Sequence, residues 1–115
     1  MTTTHTTLTV TQEIVYRLTV DLNDRYSLRQ EIKTGTAIKT IIKIVLQHAS
    51  GYTIHAADGG YIMQDSGELV REQSVIVELM YVSQDSVVAI ANDIKTALNQ
   101  ESVLYQEYVT ASAYI

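Results

Sequence analysis

The sequence predicts a single α+β domain with the element order β-α-β-β-α-β, folded as a four-stranded antiparallel sheet with two helices on one face. Three observations carry this reading. Segments around 36–49 and 84–98 repeat apolar residues at helical spacing. Segments of alternating apolar and polar residues flank each of them. A chain of 115 residues, 46% of them apolar, supports one core and little more.

The elements follow in order. Residues 1–7 are Thr-rich and read as a frayed N-terminus, leaving 8–115 as the domain. In the first strand Ile14, Tyr16, Leu18 and Val20 alternate with Val15, Arg17, Thr19 and Asp21. Asn23-Asp24 ends it, and a loop runs to Gly35. The first helix spans Thr36 to about Ala49, with Ile38, Ile41, Ile42, Val45 and Leu46 on one face and Lys39 and Lys43 opposite. Thr34 or Thr36 supplies the cap oxygen, and Ser50-Gly51 the exit. Tyr52 to Ala57 forms a short strand, and Asp58-Gly59-Gly60 has turn chemistry. Tyr61 to Val70 reads as an extended arm with a turn at Asp65-Ser66-Gly67.

Arg71 to Val82 is a long strand, with Val75, Val77, Leu79 and Tyr81 on one face and Glu72, Ser74, Ile76, Glu78 and Met80 on the other. Ser83 caps the second helix and Asp85 favours its first turn. Asn99-Gln100 ends it, and Ser102 to Tyr114 is the last strand. Right-handed crossovers in two split β-α-β units give the ferredoxin-like arrangement. One sheet face stays open, and its mixture of Glu72, Ile76 and Met80 calls for cover by other subunits.

Composition narrows the function. The formal charge is −5, and the eight Lys and Arg are scattered, which argues against nucleic acid and suits a cationic ligand. The absence of cysteine excludes disulfides and thiol chemistry. With no leader-like or membrane-length apolar run, a cytoplasmic protein is expected. His5, His48 and His55 lack metal-ligand spacing, so no metal is expected, and His48 is assigned to the helix C-terminus. No G-x-S-x-G elbow occurs. Thr34-Gly35-Thr36 is either a simple helix start or an anion site.

A small domain places its ligand in a surface cleft or between subunits. The run from Tyr61 to Glu72 is the strongest candidate. Glu72 opens the long strand on the open face; it is either a solvated edge charge or a carboxylate facing a cation in a cleft. Tyr61 lies one hairpin arm away and offers a ring and a hydroxyl. Glu101 and Glu107 border the last strand, and Glu107, between Tyr105 and Tyr108, can face either side; its spacing favours a plain surface charge over a site role.

The strings GYTIHAADGGY, GELVREQSVIVEL and QESVLYQEYVTASAYI, in a pattern running roughly from Tyr16 to Tyr114, resemble the phage-encoded S-adenosylmethionine lyases, formerly called hydrolases. Parts of them also resemble an uncharacterised bacterial family of ferredoxin-like type. The lyase resemblance implies a PII-like homotrimer with ligand sites between subunits. It implies cleavage of S-adenosylmethionine, as substrate and with no cofactor, to 5′-methylthioadenosine and homoserine lactone. This would deplete the methyl donor of host restriction systems in an infected bacterium. It matches a family Tyr and Glu to Tyr61 and Glu72 as catalytic residues, with Glu107 and Tyr105 added as substrate-binding candidates. The alternatives are a PII-like nucleotide sensor without turnover and a structural oligomerisation module.

Overall fold

The computed structural model describes residues 7–115. The fraying expected over 1–7 falls outside them except at Thr7, as does His5; residues 7–10 carry no regular structure. Six elements follow: β1 (Thr11–Asp21), α1 (Thr34–Val45), β2 (Thr53–Ile62), β3 (Leu69–Leu79), α2 (Gln84–Ala97) and β4 (Leu104–Ser112). The sheet order is β2-β3-β1-β4, with every neighbouring pair antiparallel. This is the α+β, ferredoxin-like arrangement expected from the sequence.

The core lies between one sheet face and the two helices. Leu18 and Val20 of β1 and Val75, Val77 and Leu79 of β3 meet Ala37, Ile41 and Val45 of α1 and Val87, Ile90 and Ile94 of α2. All are buried, and their alternation in the strands leaves Arg17, Thr19, Asp21, Glu72, Ile76 and Glu78 on the opposite, uncovered face. On that face the Arg17 guanidinium lies 5.2 Å from the Tyr108 ring centroid and 3.6 Å from Glu78, whose carboxylate accepts from the Tyr108 hydroxyl at 2.9 Å. The Arg17 Nε is buried and has no hydrogen-bond partner among the described residues.

Ser83 caps α2 as expected, its hydroxyl accepting from the Ser86 amide at 3.1 Å. Asn99 takes a left-handed conformation (φ 50°) just past the end of that helix. Several local expectations are corrected. α1 begins at Thr34 without a side-chain cap, because the cap position falls to Lys33, whose side chain has no acceptor; the Thr34 hydroxyl accepts from Gln30 Nε2 at 3.0 Å. His48 does not serve its own helix; its Nε2 lies 3.2 Å from Asp93 of α2. Tyr81 leaves the core face because the chain turns sharply there (φ 57°), and its ring is exposed.

The largest correction concerns Asp58-Gly59-Gly60. These residues are not a turn: β2 runs through them to Ile62, paired with Gln73, Glu72 and Arg71. The turn lies further on, where Gly67 (φ 73°) donates to the Met63 carbonyl at 2.9 Å. β1 pairs with β3 only as far as Asp21 and Ser74, with one further bond from the Leu22 amide to the Gln73 carbonyl. Beyond that point β2 and β3 continue as a two-stranded ribbon, with Tyr61, Ile62 and Leu69 exposed on it.

Candidate functional site

The root of this ribbon gathers the polar groups of the open face. Asp21 is the last residue of β1, and Ser74 stands directly opposite it on β3. Glu72 is two residues along β3, on the same face and diagonal to Asp21, a spacing that side chains readily bridge. Ser74 is buried and its hydroxyl donates to Asp21 Oδ1 at 2.8 Å. Gly59 faces Glu72 across the β2–β3 pair, so the nearest cross-strand neighbour has no side chain. That gap leaves space over the Glu72 carboxyl. Tyr61 follows on the same face of β2.

Two clefts meet at these residues, sharing Asp21, Tyr61, Glu72 and Ser102. The wider, about 590 Å³, extends over the sheet past Thr19, Ser74, Ile76 and Leu104. Its size falls within the range of small-molecule sites. The narrower, about 190 Å³, is walled by Asn23, Asp24, Arg25, Gln100 and Glu101. Its wall is latched: Asp24 accepts from the Tyr26 and Ser27 amides at 2.9 and 3.2 Å and from Asn99 Nδ2 at 2.8 Å. Gln100, also buried, donates to the Asn23 carbonyl at 2.8 Å. These bonds hold the Asp24 carboxyl below the usual carboxylate range, the Tyr26 amide contributing most.

Glu72 behaves oppositely. Partial burial pushes its carboxyl above the usual range; the negative charge of Asp21 and a hydrogen bond shared with it add to the shift. Neither carboxylate has a salt-bridge partner among the described residues. An ammonium group entering the cleft would relieve both the desolvation and the repulsion. The arrangement is therefore suited to hold an organic cation beside an aromatic ring.

The structure thus brings Tyr61 and Glu72 to one cleft, as the sequence led us to expect. It does not bring Glu107 there. The register pairs Tyr16 with Glu107 and Leu18 with Tyr105, which places both β4 residues on the helix side of the sheet. The Tyr105 ring packs against Tyr16 with centroids 6.0 Å apart. Its hydroxyl accepts from Gln84 Nε2 at 3.2 Å and donates to Glu107 at 2.5 Å. Tyr105 borders the wider cleft, but its hydroxyl is committed on the other side. Sequence reasoning missed Asp21, Ser74 and the Asn23–Arg25 wall. Asp21 carried a weak signal, as an acidic residue on the open-face parity at a strand end; pairing it with Glu72 required the register.

No protein-family model and no curated protein sequence matches this chain. Solved structures do. A phage SAM lyase in its apo state superposes with a TM-score of 0.63 at 20% identity, over 90% of this chain and 93% of that one. A phage SAM lyase in complex with S-methyl-5′-thioadenosine gives 0.59 at 22% identity, over 89% and 90%. The GlnK–ATP complex of B. subtilis gives 0.56 at 12% identity, over 86% and 82%. The chain therefore shares the PII-like, ferredoxin-like fold of these proteins.

The raised Glu72 carboxyl has a consequence for stability. A carboxyl that holds its proton more tightly in the folded state supports folding at low pH and loses that support as pH rises through its folded pKa. Glu72→Gln should accordingly raise the thermal midpoint at pH 7. The gain should vanish at a pH low enough to protonate the wild-type side chain as well. Unfolding scans across that range check this, and a midpoint lowered at pH 7 would mean that Glu72 is held by favourable contacts instead.

Proposed function

We propose that this protein is an S-adenosylmethionine lyase. The observation that carries the reading is the cleft in which Tyr61 and Glu72 converge on the uncovered face, in a fold shared with phage SAM lyases. In the proposed reaction the substrate's carboxylate attacks its own γ-carbon. The carbon–sulfur bond breaks, the thioether leaves as 5′-methylthioadenosine, and the remainder is homoserine lactone.

The protein's task in such a reaction is positioning: the methionyl chain must be folded so that its carboxylate lies in line with the breaking bond. The positive charge on sulfur disappears in the transition state, so tight binding of the sulfonium itself would oppose catalysis. Glu72 is therefore assigned to the substrate ammonium, which keeps its charge throughout. Tyr61 walls the cleft and limits water. In an infected bacterial cell the outcome would be loss of the methyl donor.

The same reading takes the protein to be a homotrimer with sites between subunits. The uncovered sheet face supports this: it exposes apolar surface, including Leu104 and the Tyr108 ring, that the two helices cannot cover. Tyr105 and Glu107, on the helix side of their own sheet, would then contribute to substrate binding only in a neighbour's cleft. A PII-like sensor is favoured over a purely structural module as the second reading, because the fold is shared with a protein solved with ATP.

Incubation with S-adenosylmethionine and chromatography of the products separates these readings. Methylthioadenosine with lactone is expected; intact, bound ligand would indicate the sensor, and no binding the structural module. Glu72→Gln should lower kcat/KM by about 10- to 150-fold, the value of one charge-assisted hydrogen bond. In ¹⁸O-labelled water the first product should be unlabelled lactone. Homoserine labelled at its γ-hydroxyl without a lactone precursor would show hydrolysis, and Glu72 would become a general base. Light scattering should give the mass of a trimer at micromolar concentration; a stable monomer would remove the intersubunit site.

A further inference from the structure

We propose that Asp21 is a positioning residue for Glu72, and that the two carboxylates act as one receptor for the primary ammonium of the ligand's aminoacyl end. The inference deepens the lyase reading and takes the identity of the ligand from it. Its basis is geometric. Asp21 and Glu72 are diagonal neighbours on the open face, at the last position where β1 flanks β3. The buried Ser74 hydroxyl fixes one oxygen of Asp21 and leaves the other available. Gly59 leaves the approach to Glu72 clear.

The surroundings make the pair selective. Asp24, Arg25 and Glu101 face it from the loops at either end of the narrower cleft, and Tyr61 faces it from β2. Three carboxylates other than Glu72 against one guanidinium leave the cleft acidic, and Arg25 is the basic residue lining it. Partial burial, and after it the neighbouring Asp21 carboxylate, keep a proton on Glu72 in the empty cleft to a higher pH than on an isolated glutamate. A primary ammonium carries the charge and the three donors needed to satisfy both groups, and it displaces that proton on entry. Asp21 thus orients Glu72 and, together with its burial, raises the pH at which the pair accepts a cation. A neutral nucleoside lacking the aminoacyl end gains nothing from it.

The test compares wild type with Asp21→Asn, which keeps the acceptor for Ser74 and loses the charge. The first measurement is ¹³C NMR of the side-chain carboxyls in the ligand-free protein, with Glu72 assigned by the loss of its signal in Glu72→Gln. The Glu72 midpoint should lie above that of an ordinary glutamate in wild type and fall in Asp21→Asn. An unchanged midpoint overturns the proposal, whatever the protein does to S-adenosylmethionine. The second measurement is calorimetric binding of S-adenosylhomocysteine, which carries the ammonium, and of methylthioadenosine, which does not. Asp21→Asn should weaken the first about 10-fold or more and leave the second unchanged. Its acid limb for S-adenosylhomocysteine should move to lower pH, and Asp21→Glu should restore part of the affinity. Equal losses for both ligands, or none, overturn the assignment. If neither nucleoside binds the wild-type protein, the lyase reading fails, the ammonium receptor fails with it, and the NMR titration alone decides whether Asp21 controls Glu72.

Discussion

Everything in this molecule depends on a sheet that can bury only one of its faces. Two helices of twelve and fourteen residues cover Leu18, Val20, Val75, Val77 and Leu79, and the described residues hold no further element that covers the reverse side. Strand alternation then sends Arg17, Asp21, Glu72 and Glu78 outward as a direct consequence of sending their neighbours inward. The site is built from residues that the core leaves behind. Its position along the sheet is set by the end of β1: where that strand stops at Asp21, β2 and β3 continue as a ribbon, and the step between three strands and two forms the cleft. Beyond that step the ribbon has no further strand beside it among the described residues.

The electrostatics of the cleft work against folding. Asp21 and Glu72 are brought together by the ladder, which is fixed by core packing several residues away, and the cost of their proximity is met by that packing. Asp24, a short distance along the loop, shows the contrasting case of a carboxylate satisfied by backbone amides and Asn99. One acidic residue holds the wall in place, while Asp21 and Glu72 have no cationic partner among the described residues. Such stored repulsion is a common mark of a functional site.

The fold was legible because its signals are local. Helical spacing of isoleucines and valines, the Ser83 cap and the Val75–Val77–Leu79 alternation each specify an element without reference to the rest. Tyr61 and Glu72 were legible for a related reason: they lie on adjacent arms of one hairpin, and the resemblance to phage lyases pointed to both. Asp58-Gly59-Gly60 was misread because glycine serves two purposes. Here the turn is made by Gly67, and Gly59 and Gly60 lie within the strand; a Cβ at Gly60 would sit 3.0 Å from the Val70 carbonyl. The face of Glu107 was not legible, since it is decided by its register with Tyr16, a partner 91 positions away. Asp21 was hidden in the same way: its meaning comes from pairing with β3.

The central claim is that the uncovered face at the ribbon root receives the ligand. A crystal structure of the protein soaked with S-methyl-5′-thioadenosine tests it most directly. The account predicts the nucleoside in the cleft beside Tyr61, with its sulfur end directed toward Glu72 and Asp21. Density for it on the helix side of the sheet, against Tyr105 and Glu107 of the same subunit, would contradict the account.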